Sequence, residues 1–491
     1  VHIIKNEARL AKNLAWLIIA IGIALRLYVY FQSRDLMVDE LNVVRNVYER
    51  GWLELLQPLD YQQYAPPLFL WILKLAGSTL GYGELAMRLF PLLASAAALI
   101  LLYKLLRPLG IAALPALCSF AFSAFIIRYS TDVKQYLSDA MVVLLLLYLT
   151  SKVSIRRPAQ SFLLIWIPAG TVAILLSMPA AFQLLGVGCY YLLEARRDKR
   201  ITHLVTLGLA GFSWLLVFGL YYWFILRFQI ASDYLQAWHS GYFPDLSFSR
   251  EAWEHNSSLL ESLLEMMAGT AFWPVLVLYF LLFIIGIIHL VKRLPGMALL
   301  TLIPIAVTLF ASGRHIFTLL PRVCIFLAPQ FLMVASYGLY QLVALRPAVF
   351  KKVAVVISLL VCVAVNPFYL LAHRLEVDEL SASVTFAQSR GVAVNHIFLQ
   401  EWVTPSVVYY SEIHPNRSKY QSYNELSVIP GNAQLDSFAH VLTQTSARYA
   451  FVYYWIDDAT LQEHRQKVFA LLTPVDSLVK PSYRVMIYEA P

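Results

Sequence analysis

Residues 31–91 read FQSRDLMVDELNVVRNVYERGWLELLQPLDYQQYAPPLFLWILKLAGSTLGYGELAMRLFP, a polar and aromatic segment wedged between two strongly apolar runs. A segment of this length with no place in a compact soluble core is usually functional. The apolar run before it, 13–31, is close to the roughly 20 residues that a helix needs to cross hydrocarbon, so the segment emerges at a membrane surface. It holds the adjacent carboxylates Asp39 and Glu40, followed at helical spacing by Leu41, Val44, Val47 and Tyr48, with Trp52 beyond. Carboxylates at a helix start are favoured by the positive end of the dipole, so the dipeptide alone fits a helix terminus as well as a chemical pair.

The rest of the chain is equally apolar. Of 491 residues, 59% are hydrophobic and 14% charged, and the mean hydropathy is +0.63. Globular domains run at about 45–50% apolar, so the fold class expected is a polytopic α-helical membrane protein. The net charge of +8 does not signal nucleic-acid binding, because Lys and Arg fall in short clusters between apolar runs rather than on one face. Cys118, Cys189, Cys324 and Cys362 all sit inside apolar runs without Cys-x-x-Cys or Cys/His metal spacing, so neither a disulfide framework nor a zinc site is expected. Residues 14–31 are too long and aromatic for a signal-peptide core and lack an Ala-x-Ala pattern, which predicts a retained helix.

By length and apolarity there are about eleven candidate spans, near 13–31, 86–103, 109–127, 137–150, 161–177, 179–194, 203–226, 271–291, 297–311, 323–343 and 353–371. With the N-terminus (Lys5, Arg9, Lys12) in the cytoplasm, parity puts Lys104/Arg107, Lys152/Arg156/Arg157, Arg196/Arg197/Lys199/Arg200, Lys292/Arg293 and Arg346/Lys351/Lys352 on the same side. Every predicted cytoplasmic loop is then basic, as the positive-inside rule demands. The outer segments become 32–85, 128–136, the corner at 178, 227–270, 312–322 and everything after 372, and they hold nearly all the Asp and Glu. Two domains are expected, 1–372 in the membrane with large external loops 32–85 and 227–270, and 373–491 as an extracytoplasmic α/β domain. In the latter, 396–400, 449–454 and 483–488 read as strands, and 377–389, 404–412, 433–446 and 458–471 as helices.

Charges beside apolar helices are costly unless they pair or line a wet cavity. The loop 128–136 carries Arg128, Asp132, Lys134 and Tyr136, with Arg128 and Asp132 at i, i+4 spacing. Gly313-Arg314-His315 and Leu320-Pro321-Arg322 set three basic groups at an outer helix entrance, where topology predicts few cations. In 227–270, Tyr234, Trp238, Tyr242, Phe243 and Trp253 suit helices lying in the membrane interface, while His239, His255, Asp245, Glu251 and Glu254 form no metal-ligand pattern.

An acidic pair just past a first membrane helix, then an amphipathic run, then Tyr64-Ala65-Pro66-Pro67-Leu68 and Gly83-Glu84-Leu85-Ala86-Met87-Arg88-Leu89-Phe90-Pro91, resembles the first external loop of the GT-C membrane glycosyltransferases. The likeness is greatest to the branch of the protein O-mannosyltransferases and aminoarabinose lipid A transferases. It implies that Asp39 and Glu40 are catalytic, Asp39 as the base, that Tyr64, Pro66, Pro67, Glu84 and Arg88 shape the loop or touch substrate, and that the loop holding Asp132, Lys134 and Tyr136 helps form the donor site. It also implies that Arg322, which opens a late helix, binds a lipid-linked phosphate together with Lys134, Arg314 and His315. Two positions depart from the family: Ala65 stands where the aminoarabinose transferases have Lys, and Val323 where Arg-Tyr is usual.

The resemblance implies polyprenyl-phosphate-sugar transfer to an acceptor hydroxyl on protein, lipid or glycan, with inversion, at the outer face of what resembles a bacterial inner membrane. No cofactor and no catalytic metal are expected, because a phosphate monoester is a competent leaving group. The partners are then the lipid-linked donor, the acceptor and membrane lipids, with no nucleic acid. Two other readings are kept: a non-catalytic GT-C-like scaffold with partners in a membrane complex, and a lipid-linked sugar transporter. The latter would predict internal repeats and broken helices in matching halves, which the sequence lacks.

Overall fold

A computed structural model of the chain describes residues 2–345, 347–366, 369–372 and 379–491. Arg346, part of the expected span at 353–371 (367–368), the expected domain boundary and the start of the expected helix 377–389 lie outside the described residues, as does the side chain of Lys5. The chain forms two compact units: Val1–Phe31, Trp52–Ile72 and Arg88–His373 make the first, and Gln32–Gly51, Leu73–Met87 and Arg374–Pro491 the second. Two stretches of the loop expected at 32–85 thus belong to the same unit as the C-terminal residues.

The first unit is helical. Eight helical stretches among the described residues are long and apolar enough to cross a membrane: Arg9–Phe31, Glu84–Phe122, Ala159–Leu176, Ile201–Ile230, Trp273–Arg293, Pro295–Gly313, Ile325–Leu345 and Val349–Ala372. The chain is an integral, multi-pass membrane protein. The difference from about eleven expected spans has local causes. The run expected at 86–103 and most of that at 109–127 fall in one helical stretch, which has a break at Gly110, where φ is 59°, and ends at Phe122. The run at 137–150 is a helix of 17 residues, Tyr136–Lys152, and that at 179–194 is Ala180–Asp198, whose last turn is charged.

Without water as a competitor, packing here depends on small residues and internal hydrogen bonds. In helix α1 (His2–Phe31) the guanidinium of Arg26 is fully buried. It donates to Ser95 Oγ (2.7 Å) and to the carbonyls of Gly22 (2.9 Å), Ala121 (2.8 Å) and Phe120 (2.9 Å). The last two are end carbonyls of the helix Leu114–Phe122, which have no partner within their own helix, so Arg26 acts as its cap from another element. Helices Trp273–Arg293 and Ala328–Leu345 approach backbone to backbone: a Cβ on Gly286 would run into the Val334 carbonyl and one on Gly338 into that of Leu282.

Within 32–85 the structure holds helix α2 (Val38–Glu49) and helix α3 (Pro67–Leu80). The amphipathic run read from Leu41, Val44 and Val47 is α2, and all three side chains are buried. The Pro66-Pro67 pair, expected to shape the loop, starts α3. Proline suits the first helical position because its missing N–H would be unsatisfied there in any case. Helix α4 (Glu84–Leu106) follows. In 227–270 a short helix, Asp233–His239, and a longer one of 19 residues, Arg250–Ala268, are each opened by a serine hydroxyl that accepts a backbone N–H.

In the second unit five strands, β1 (Ile397–Leu399), β2 (Ser427–Val428), β3 (Arg448–Tyr454), β4 (Thr473–Val479) and β5 (Tyr483–Glu489), form one sheet in the order β2-β1-β3-β5-β4. β1 runs parallel to β2 and β3, while β5 is antiparallel to β3 and β4. Alternate residues of β3, Tyr449, Phe451 and Tyr453, pack with Leu435, Ala439, Leu461 and Phe469 in one apolar cluster. The stretch expected as a helix at 404–412 is α-helical over Thr404–Val408 and continues as a π-helix over Tyr409–Ile413.

Candidate active site

In the first unit, the loop 128–136 and the turn at Arg322 meet at Tyr129. Burial pushes the Tyr129 phenol above its ordinary value, against the opposing pull of Arg128 and Arg322, while the Asp132 carboxylate adds to the rise and Arg322 hydrogen-bonds the phenol. The Tyr136 ring packs edge-on against that of Tyr129 at 5.5 Å, and the Arg128 guanidinium lies 5.6 Å from the same ring's centre. Arg322, Arg128, Asp132 and Tyr136 thus all converge on Tyr129.

Lys134 is buried and donates to Gln63 Oε1 at 2.7 Å. Gln63 follows two consecutive non-glycine residues in the left-handed region, Tyr61 (φ 61°) and Gln62 (φ 55°). Each such residue costs about 1–3 kcal/mol and persists only where its surroundings impose it, a pattern typical of functional loops. Next in sequence, Tyr64 shares a hydrogen bond with the Tyr221 hydroxyl. Tyr221 immediately precedes a π-helical turn, Tyr222–Leu226, and such turns recur at functional sites. Pro66 and Pro67 are buried.

Arg314 and His315 are exposed. The His315 imidazole stacks flat on Phe243 (4.6 Å, 6° between planes), and its carbonyl accepts from Gln236 Nε2 at 3.0 Å. Arg88 is buried (1% exposed) beside the Tyr30 phenol.

In the second unit, Asp39 stands in the first turn of α2 and is half-buried. Glu40, named with it as catalytic, is 1% exposed, and its Oε2 accepts from the Met37 N–H at 3.0 Å. This is one half of a capping box, so Glu40 holds the start of the helix that carries Asp39. Lys74, from α3, donates to the carbonyls of Val47 (2.8 Å) and Arg50 (2.6 Å) and so caps the other end of α2.

Glu84 is engaged by the C-terminal residues. Its carboxylate meets His414 Nε2 at 3.3 Å and accepts from the Tyr410 hydroxyl at 3.4 Å. His414 Nδ1 accepts the Asn416 N–H at 3.0 Å, so the ring proton sits on Nε2 and points to Glu84. Asp35 accepts from Ser381 Oγ at 2.9 Å and from its N–H at 3.3 Å. Burial pushes the Asp35 carboxyl above the usual range, against hydrogen bonds from Tyr410 and Ser381, and the Glu84 charge adds to the rise.

Sequence reading passed over Asp35, Gln63, Tyr129, Tyr410 and His414. A charged residue four positions before Asp39 was a usable signal for Asp35. Nothing local marks Tyr410 or His414, which lie more than 300 residues from Glu84. Among the described residues no group of three or more His, Cys, Asp or Glu side chains is placed to hold a metal ion.

Residues 64–223 match the family model described as dolichyl-phosphate-mannose-protein mannosyltransferase, so the likeness to GT-C glycosyltransferases read from the first external loop also extends over the helices that follow it. Among solved structures, ArnT from Cupriavidus metallidurans bound to undecaprenyl phosphate is similar at 14% identity and TM-score 0.48, over 96% of this chain and 97% of that one. Its apo form is similar at 13% and 0.47 over the same shares. An oligosaccharyltransferase from Archaeoglobus fulgidus, in complex with zinc and sulfate, is similar at 15% and 0.47, over 84% of this chain and 56% of that one. Comparison with curated proteins gives no match.

Proposed function

We propose that this chain is an inverting glycosyltransferase that moves a sugar from a polyprenyl-phosphate donor to an acceptor hydroxyl at the outer face of the membrane. The observation that carries the reading is the convergence of Arg322 and Arg128 on Tyr129, in the loop that also carries Lys134. Two guanidinium groups brought together beside apolar helices suit a ligand with an anionic head and a lipid tail, because an Arg fork matches phosphate oxygens bidentately.

In this mechanism Arg322 and Lys134 bind the donor phosphate and stabilise the charge that builds on it as the glycosidic C–O bond breaks. Asp39 takes the proton of the acceptor hydroxyl as general base while the hydroxyl oxygen attacks the anomeric carbon from the face opposite the phosphate. The lipid phosphate leaves as the anion, so no metal is required. Glu40 keeps Asp39 in the first turn of α2 rather than moving protons itself. In the proposed topology about eleven helices span the bilayer, the N-terminus is cytoplasmic, and loop 32–85 and the C-terminal residues face outward.

The test is transfer from a synthetic prenyl-phosphate sugar, wild type beside Asp39→Asn. Turnover in the variant should fall about 100-fold or more, with donor binding and folding kept. Equal rates would remove Asp39 as the base. The departures at Ala65 and Val323 favour one second reading, a non-catalytic scaffold, which an inactive wild type across a donor panel would support.

A further inference from the structure

Three cations meet at one end of the first unit. Helix α4 and helix Tyr136–Lys152 each carry a lysine in the last turn, Lys104 and Lys152. Both ammonium groups lie over one ring, Lys104 Nζ at 5.4 Å and Lys152 Nζ at 5.5 Å from the centre of Tyr148, so they stand no more than about 11 Å apart. Arg157 joins them, because its Nη2 donates to the Lys152 carbonyl at 3.4 Å. We infer that Lys104, Lys152 and Arg157 form a docking site for the phosphate of an anionic bilayer phospholipid. The site does not depend on the transferase reading: in the proposed topology it faces the inner leaflet, and the cluster at Tyr129 the outer one.

The loop that carries Arg157 is held in place by its own contacts. Val153 and Ile155, just past Lys152, are buried, and the Tyr191 hydroxyl donates to the Val153 carbonyl at 2.7 Å. Arg156 makes a two-pronged contact with Asp198, at 2.9 and 2.7 Å, that ties the loop to the end of helix Ala180–Asp198. One arginine of the loop is therefore a strut, and the next lies at the lysine end.

The dipole of a helix favours a cation at its C-terminus, which accounts for each lysine on its own helix. It does not account for both over one ring, since two like charges at this range repel. A phosphate between them turns that repulsion into charge-assisted hydrogen bonds. Basic pockets between membrane helices on the cytoplasmic side are a recurrent form of lipid headgroup site. An apolar path leads inward from this one: Leu145 is 40% exposed and, at i, i+3, i+7 spacing, shares a helix face with Tyr148 and Lys152. A phospholipid held by its phosphate at the lysines can lay an acyl chain along Leu145, a contact that inorganic phosphate lacks.

The experiment is native mass spectrometry of the full chain in detergent, titrated with dioleoyl phosphatidylglycerol, with dioleoyl phosphatidylcholine and inorganic phosphate as comparison probes. Phosphatidylglycerol should bind about tenfold more tightly than the zwitterionic lipid, and inorganic phosphate at the same concentration should not displace it. Lys104→Gln combined with Lys152→Gln should weaken phosphatidylglycerol binding about thirtyfold, or about 2 kcal/mol, whereas the pair Lys104→Arg and Lys152→Arg should keep it within about threefold. Tyr148→Leu removes the ring that both ammonium groups share and should weaken binding about fivefold. As a control, Arg196→Gln combined with Lys292→Gln removes two exposed cations that the proposed topology puts on the same face, and should change binding less than about twofold. A loss in that control as large as in the Lys104 and Lys152 pair means diffuse attraction and overturns the site, as does a Gln pair that binds like wild type. Displacement by inorganic phosphate at equal concentration overturns the lipid as the ligand.

Discussion

Lys134 Nζ donates to Gln63 Oε1 at 2.7 Å, tying the charged loop 128–136 to a turn whose two preceding residues are both left-handed. This bond is to a neutral amide oxygen, which an anionic phosphate oxygen outcompetes, since charge-assisted hydrogen bonds are about twice as strong as neutral ones. Lys134→Ala should weaken binding of a short prenyl phosphate by about 1.5–3 kcal/mol. Gln63→Glu should also weaken it by holding the ammonium in an ion pair, whereas Gln63→Ala should leave affinity within a few-fold of wild type. Titration of the purified protein with the lipid checks all three, and unchanged affinity in Lys134→Ala would separate this residue from the phosphate.

In the proposed mechanism Arg322 meets the donor phosphate through its guanidinium fork. Arg322→Ala should lose about 1.5–3 kcal/mol of donor affinity, and Arg322→Lys should recover only part, because a point charge cannot make two parallel bonds. Tyr129→Phe removes the phenol that Arg322 hydrogen-bonds but keeps the ring against Tyr136, so it should change affinity far less. The same lipid titration decides, and an Arg322→Ala protein that binds like wild type sinks the phosphate assignment.

How much of the fold and the site is legible in the sequence depends on the range of each interaction. Periodicity in Leu41, Val44 and Val47 marks α2, and apolar runs mark the spans, because both signals are local. Topology alone singles out Arg322 and Lys134 as cations on the unexpected side, and the loop of one and the turn of the other carry the residues that cluster or bond in the first unit. Strand β4 escapes notice because it is an edge strand that contains Pro474, a β-bulge and mostly exposed side chains, with no alternation to read. The capping bond of Glu40 is not legible because a catalytic carboxylate and a capping carboxylate share one sequence signature, and the Met37 N–H that Glu40 accepts comes into view only in the folded chain. The engagement of Glu84 by Tyr410 and His414 is a long-range contact, invisible to any window along the chain.

Asp35 gives a pH dependence with a defined sign. Burial raises its carboxyl above the unfolded value of about 3.9, so the native state holds this proton more tightly than the unfolded chain. The stability it contributes is fully present below that unfolded value and is lost as pH rises through the raised native one. Asp35→Asn carries no titrating proton. The difference in melting temperature, wild type minus variant, should therefore fall as pH rises from about 4 to about 8, measured on the full chain in one detergent. Parallel profiles would show that Asp35 titrates alike in both states.

Arg26 is the cation inside the first span. Its guanidinium makes four hydrogen bonds, to Ser95 and to the carbonyls of Gly22, Phe120 and Ala121, so it links α1 to α4 and to the end of helix Leu114–Phe122. Arg26→Leu suits the bilayer by composition but leaves the Phe120 and Ala121 end carbonyls without this donor in a place that water does not reach. At about 1–3 kcal/mol for each group left unsatisfied, the loss should reach several kcal/mol. Arg26→Lys keeps the charge but has one nitrogen for four separated acceptors, so it should fall between wild type and Arg26→Leu. Ser95→Ala removes only one partner and should cost about 1 kcal/mol. Thermal unfolding in detergent ranks the series, and a Leu variant as stable as wild type would show that the carbonyls find other donors and that Arg26 is not the cap.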